Sequence, residues 1–167
     1  MTLWTEKYRP KTLEDYLGNN NNVTAIKKWI TDFKSKKNVS NSILIYGPPG
    51  TGKTSLANII LDTFDYDIIE FNASDIRNQK IVREKLSQIF DKTSILKMME
   101  NKPKKIGIIM DEIDGMSKGD KGGMTELTNI LNNKKGSLKS QHTPIICICN
   151  SIADKKINEI KKKIFSC

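Results

Sequence analysis

The chain has 167 residues, 37% of them apolar and 28% charged, enough for one domain with its own core and too few for two. Its 28 Lys plus Arg against 19 Asp plus Glu leave a formal charge of +9, which favours a polyanionic partner without naming one. No apolar run approaches the ~20 residues of a membrane span, and no apolar signal core follows Met1, so a membrane or secreted protein is disfavoured and an intracellular one expected.

In chain order, an arm from Leu3 to Tyr16 carries Pro10 among charges and aromatics and should be irregular or partly helical. Asn19 to Asn22 can cap a helix whose apolar positions Val23, Ile26, Ile30 and Phe33 recur at spacings of three and four. Lys34 to Asn41 is a polar connection. Ser42 to Tyr46 reads as a buried strand, followed by a glycine-rich turn and a helix bearing Leu56, Ala57, Ile59 and Ile60. Ile68 to Asn72 is a second strand, and Val82, Leu86, Ile89 and Phe90 mark a helix over 76–90. Ile106 to Met110 is a third strand. Met124, Leu127, Ile130 and Leu131 form another helical stripe, and Pro144 to Cys149 is a fourth strand. Alternating strands and helices predict a layered α/β fold with a mostly parallel sheet. Cys147 and Cys149 alternate within the fourth strand and read as core, since no His or Cys partner follows at zinc spacing.

Gly47-Pro48-Pro49-Gly50-Thr51-Gly52-Lys53-Thr54 satisfies G-x-x-x-x-G-K-[ST] at every fixed position, between an expected strand and an expected helix. Glycines let the backbone turn tightly and offer its N–H groups to phosphate oxygens, and the helix N-terminus adds positive partial charge. In this reading residues 47–55, from Gly47 to Ser55, bind nucleotide. Lys53 reaches the β- and γ-phosphates, and the Thr54 hydroxyl ligates Mg²⁺.

The third strand ends in Asp111 and Glu112, 58 residues beyond Lys53. Asp111 is placed to hold Mg²⁺, through water because that ion dehydrates reluctantly. Glu112 is placed to polarise the water that attacks the γ-phosphate. Asn150, at the end of the fourth strand, lies where open α/β sheets bind ligands and could touch the same phosphate.

These motifs resemble those of the AAA+ ATPases, and within them the clamp loaders of the replication factor C type. The resemblance begins at Trp4-Thr5-Glu6-Lys7-Tyr8-Arg9-Pro10, similar to the arm that lies beside adenine in that family, and so implies Tyr8, Arg9 and Pro10 as nucleotide neighbours. Phe71-Asn72-Ala73-Ser74-Asp75 looks like the family's Asn-Ala-Ser-Asp segment. Asp111-Glu112-Ile113-Asp114-Gly115-Met116 with Gly122-Gly123 is similar to the large subunit rather than the small ones. Asn150 falls on the family's γ-phosphate sensor. The resemblance implies a P-loop three-layer sandwich, ATP and Mg²⁺ as ligands, and loading of a sliding clamp on primer–template DNA. It also implies small subunits as partners, one of them supplying an arginine finger. Cations following the two motifs, Arg77, Asn78 beside them, Lys80 and Arg83, then Lys118 and Lys121, would track a duplex backbone. The apolar residues within 89–102 read as core, or else as the surface that would meet the clamp.

The departures matter as much. No arginine stands between Ile152 and Cys167, which agrees with a large subunit that receives a finger and gives none, so the chain alone should hydrolyse ATP very slowly. The expected organisation is an arm over 1–18 and an ATPase core over 19–167, incomplete before the fifth strand, lid and collar. Ser42 to Tyr46 would then lie at an open sheet edge. A nuclear or viral replication compartment is the implied location. Another AAA+ DNA-remodelling ATPase, or a non-hydrolysing nucleotide-binding remnant, stays open as an alternative.

Overall fold

The computed structural model describes residues 4–35, 37, 39–72, 84, 105–116, 122–131 and 143–166. In chain order these form α1 (Trp4–Lys7), α2 (Asn20–Lys34), β1 (Ser42–Tyr46), α3 (Lys53–Thr63), β2 (Tyr66–Asn72), β3 (Lys105–Asp111), α4 (Ile113–Met116), α5 (Gly123–Leu131), β4 (Ile145–Cys149), α6 (Lys155–Lys163) and β5 (Phe165–Ser166). The helix expected over 76–90 and the stretch 89–102 lie outside the described residues, apart from Glu84.

The strands join in the order β2-β3-β4-β1-β5, all parallel. A parallel sheet must be covered on both faces, and this one is. Ile43, Ile45, Ile109, Ile146 and Ile148 face α2 and α3, while Leu44, Ile106, Ile108, Met110, Cys147 and Cys149 face α4, α5 and α6. The Asn19 side chain caps α2 by accepting from the Asn21 amide at 2.9 Å. Trp29, absent from the expected stripe, is buried on α2 and its indole N–H holds the Ser40 carbonyl at 2.8 Å. Gly107 is the close-approach point of β3: a Cβ there would stand 2.9 Å from Leu61 Cδ2 on α3.

One expectation is corrected. The sheet does not stop short of a fifth strand, because Phe165 and Ser166 pair with Ile43 and Leu44. The edge of β1 is therefore partly covered. The two-residue strand escapes sequence reading because it follows α6, whose lysines mask an apolar stripe of Ile157 and Ile160, continued just past the helix by Ile164, all buried. Among the described residues no helix is long and apolar enough to cross a membrane.

Candidate functional site

The site forms at the carboxyl ends of β1, β3 and β4. Between β1 and α3 the chain makes a tight loop in which Gly50 and Gly52 take φ of 76° and 80°, a region an L side chain enters only at a cost of ~1–2 kcal/mol. A Cβ at Gly47 or Gly50 would meet nothing within 4 Å, so the backbone there is bare toward the outside. Gly52 caps α3 without a side chain, leaving the first amides of that helix available.

Lys53 opens α3 and turns back into the loop. Its ammonium donates to the Gly47 carbonyl at 2.9 Å, the Pro48 carbonyl at 2.8 Å and Asn150 Oδ1 at 2.8 Å. Thr51 Oγ1 also donates to the Pro48 carbonyl, at 2.9 Å. Asn150 thus joins the loop across 97 residues of sequence, as expected of a residue ending the neighbouring strand. The strand leading into the loop is tied from behind: Lys161 Nζ of α6 lies 4.2 Å from the centre of the Tyr46 ring and donates to its hydroxyl at 2.9 Å.

One residue further along α3, Thr54 Oγ1 donates to Asp111 Oδ2 at 2.6 Å. The other oxygen, Oδ1, accepts from the Glu112 amide at 2.7 Å. Both oxygens of Asp111 are oriented by these bonds. Glu112 itself sits at φ 54°; a non-glycine residue in this region is strained and tends to mark a functional position. Its carboxylate accepts from Asn72 Nδ2 at 3.1 Å. The parallel register that pairs Asn72 with Asp111 puts the amide next to Glu112. Sequence reading recorded Asn72 only as part of a segment and missed this partnership.

A cavity of about 490 Å³ opens beside the loop, lined by Tyr16, Leu17, Gly18, Asn19 and Asn22 on one side and by Gly47, Pro48, Thr51 and Lys53 on the other. Tyr8, Arg9 and Pro10 are not among its lining residues; Tyr8 is 68% exposed and stacks edge-on against Trp4. Pro49 and Gly50 are exposed at the loop tip, and Ser55 is half-buried on α3. Arg77, Asn78, Lys80, Arg83, Lys118 and Lys121 lie outside the described residues. Cys147 and Cys149 are free and buried, as read from sequence. Burial, with Cys149 close by, pushes the Cys147 thiol up to about 12. Burial and then Asp114 push Cys149 up to about 11, opposed by Lys53 and Lys161. Neither is a nucleophile at neutral pH.

A parallel sheet with β1 feeding a glycine loop into α3, and a carboxylate pair at the end of β3, defines a P-loop nucleotide-binding domain of the α/β class. The family model for the ATPase family associated with various cellular activities (AAA) matches residues 43–165, and the chain belongs to that family. It is 35% identical over 182 residues to replication factor C subunit 1 of Schizosaccharomyces pombe, covering 98% of this chain and 19% of that protein. It is 37% identical over 150 residues to the replication factor C large subunit of Methanococcus aeolicus, covering 89% of this chain and 29% of the relative. The chain thus spans between about a fifth and a third of the length of these relatives. Among solved structures, the RuvB Holliday junction branch migration motor of Thermotoga maritima superposes with a TM-score of 0.57 at 18% identity, over 96% of this chain and 48% of that one. PCH-2 of C. elegans gives 0.57 at 22% identity, over 92% and 44%. At these identities the likeness is one of fold.

Proposed function

We propose that this chain is the ATP-binding and ATP-hydrolysing module of a DNA sliding-clamp loader, of the kind formed by the large subunit of replication factor C. The observation that carries the reading is the meeting of Lys53, Asn150, Thr54, Asp111, Glu112 and Asn72 at one end of the sheet, in a chain whose relatives bear that subunit's name.

The donor set fits a triphosphate with its metal: loop amides and an ammonium for phosphate oxygens, a hydroxyl and a carboxylate for a hard cation. Thr54 and Asp111 would hold Mg²⁺, which supplies neutralisation of phosphate charge when bound. Lys53 exchanges its loop carbonyls for β- and γ-phosphate oxygens. Asn150, already against that ammonium, adds its amide to the γ-phosphate. Glu112 accepts a proton from the water whose oxygen bonds to the γ-phosphorus as the bond to the β–γ bridging oxygen breaks. Asn72 fixes the carboxylate that receives this proton. The base would occupy the cavity walled by residues 16–19, with Tyr8, Arg9 and Pro10 further along the arm.

In this reading residues 1–18 are the arm and 19–167 the ATPase core. Small subunits, a sliding clamp and primer–template DNA are the partners, in a nuclear or viral replication compartment. Arg77, Asn78, Lys80, Arg83, Lys118 and Lys121 are the proposed backbone-tracking residues on DNA. An arginine supplied by a neighbour is worth ~10³–10⁵ in rate in phosphoryl transfer, so turnover by the chain alone should be very slow. The test is steady-state ATP hydrolysis with and without replication factor C small subunits, clamp and primed DNA. Stimulation of at least ~10³-fold is expected. ATP binding without any stimulation would discard the clamp-loader reading and leave a nucleotide-binding module.

A further inference from the structure

Tyr16 reaches the phosphate loop from the arm, 35 residues earlier in the chain, and its hydroxyl donates to the Thr51 carbonyl at 3.2 Å. The ring is gripped by two glycines. A Cβ on Gly18 would stand 2.0 Å from ring atom Cε1, and one on Gly52 would stand 3.0 Å from Cε2. No side chain at Gly18 could coexist with the ring where it lies. Leu17, between them in sequence, is wholly exposed and adds nothing to that grip.

We infer that Tyr16 is a positioning residue for the triphosphate: by holding the Thr51 carbonyl it sets the peptide plane whose other end is the Gly52 N–H. A trans peptide is planar, with its C=O and N–H pointing in opposite directions, so fixing one fixes the other. This N–H is the last amide of the loop before Lys53 opens α3, among those left without an intrahelical acceptor. Two other loop carbonyls are held from within: Gly47 and Pro48 by Lys53, and Pro48 also by Thr51. Tyr16, by contrast, is a donor that comes from outside the loop and its helix. Burial pushes its phenol above the ordinary value, so the hydroxyl keeps its proton and its donor role across the physiological range. The inference rests on the nucleotide-site reading above and deepens it, since it makes the arm part of the phosphate site and not only a wall for the base.

The experiment titrates the full chain with inorganic tripolyphosphate and with ATP, both with Mg²⁺, by calorimetry. Tyr16→Phe keeps the ring and removes the hydroxyl. One lost hydrogen bond should weaken both ligands by the same factor, about three- to tenfold, with the unliganded Tm unchanged within about 2 °C. Gly18→Ala keeps the hydroxyl but displaces the ring, and should weaken tripolyphosphate at least as much. Unchanged affinity in Tyr16→Phe overturns the inference. So does a loss for ATP that spares tripolyphosphate, which would make Tyr16 a base contact, and so does a loss matched by a fall in unliganded Tm. If the unaltered chain bound neither ligand, the nucleotide-site reading itself would fall and the inference with it.

Discussion

Replacing Lys53 by Met separates what this side chain does for binding from what it does for folding. Lys53 as a residue is only 9% exposed, and taking its charge out of water costs several kcal/mol. Its three hydrogen bonds, at 2.8 to 2.9 Å, each contribute about 1.5–3 kcal/mol from a charged donor. The two sums nearly cancel. Methionine has a similar length and no charge to desolvate, and the carbonyls of Gly47 and Pro48 sit in a loop that water can reach. Stability of Lys53→Met should therefore lie within about 1 kcal/mol of the unaltered chain, or about 2–4 °C in Tm. Binding has no such compensation. Two unit charges 4 Å apart at an effective dielectric of 20 attract by about 4 kcal/mol, so affinity for ATP should drop on the order of 10²–10³-fold. The assay pairs titration of a fluorescent ATP analogue with thermal unfolding in the absence of nucleotide. Wild-type affinity in Lys53→Met would refute the phosphate-loop assignment. A Tm loss above about 8 °C would refute the cancellation.

Four further outcomes are expected. Glu112→Gln should abolish partner-stimulated hydrolysis by at least ~10²-fold while ATP still binds, and Asn72→Ala should lower kcat about three- to tenfold at unchanged ATP affinity; single-turnover kinetics beside equilibrium titration checks both. Gly107→Ala places a methyl 2.9 Å from Leu61, and the overpacking should cost about 1–3 kcal/mol by denaturant unfolding. Burial raises the Cys147 and Cys149 thiols in the folded chain above the ordinary value of 9.0, to about 12 and about 11. The folded state then holds protons that the unfolded state releases, so this stability is complete below about pH 9 and is lost as pH rises toward 12. Base titration followed by circular dichroism should show that loss, and Cys147→Ala should flatten its upper part.

The readable half of the site is written in short, contiguous strings. The phosphate loop needs its glycines in a fixed order, and Asp111, Glu112 and Asn150 each follow an apolar strand, so their placement at the sheet's carboxyl end comes from local pattern alone. What the sequence hides depends on register and on distant approach. Asn72 finds Glu112 across 40 residues only because β2 and β3 run parallel with Asn72 level with Asp111. Tyr16 finds Thr51 because two glycines leave room for its ring; a Tyr two residues before a Gly was the available hint. Helix α6 was obscured by charge, although Ile157, Ile160 and Ile164 carry the spacing of a helical stripe, and β5 was too short to show periodicity at all.

The close approach of Gly107 to Leu61 carries a meaning beyond packing. Two of the contacts between helix α3 and β3 serve as marks: Leu61 over Gly107, and Thr54 on Asp111. Along the helix the marks lie two turns apart, about 10.5 Å; along the strand they lie four residues apart, about 13 Å. Two rulers of different pitch, laid side by side, coincide at few places, and a side chain larger than that of glycine at one mark overpacks Leu61. A β3 displaced by one position would drive an isoleucine into Leu61 before it misaimed the carboxylate at the far end. Faulty alignment would therefore be expelled as unfolded chain, and molecules that fold at all would carry Asp111 in line with Thr54.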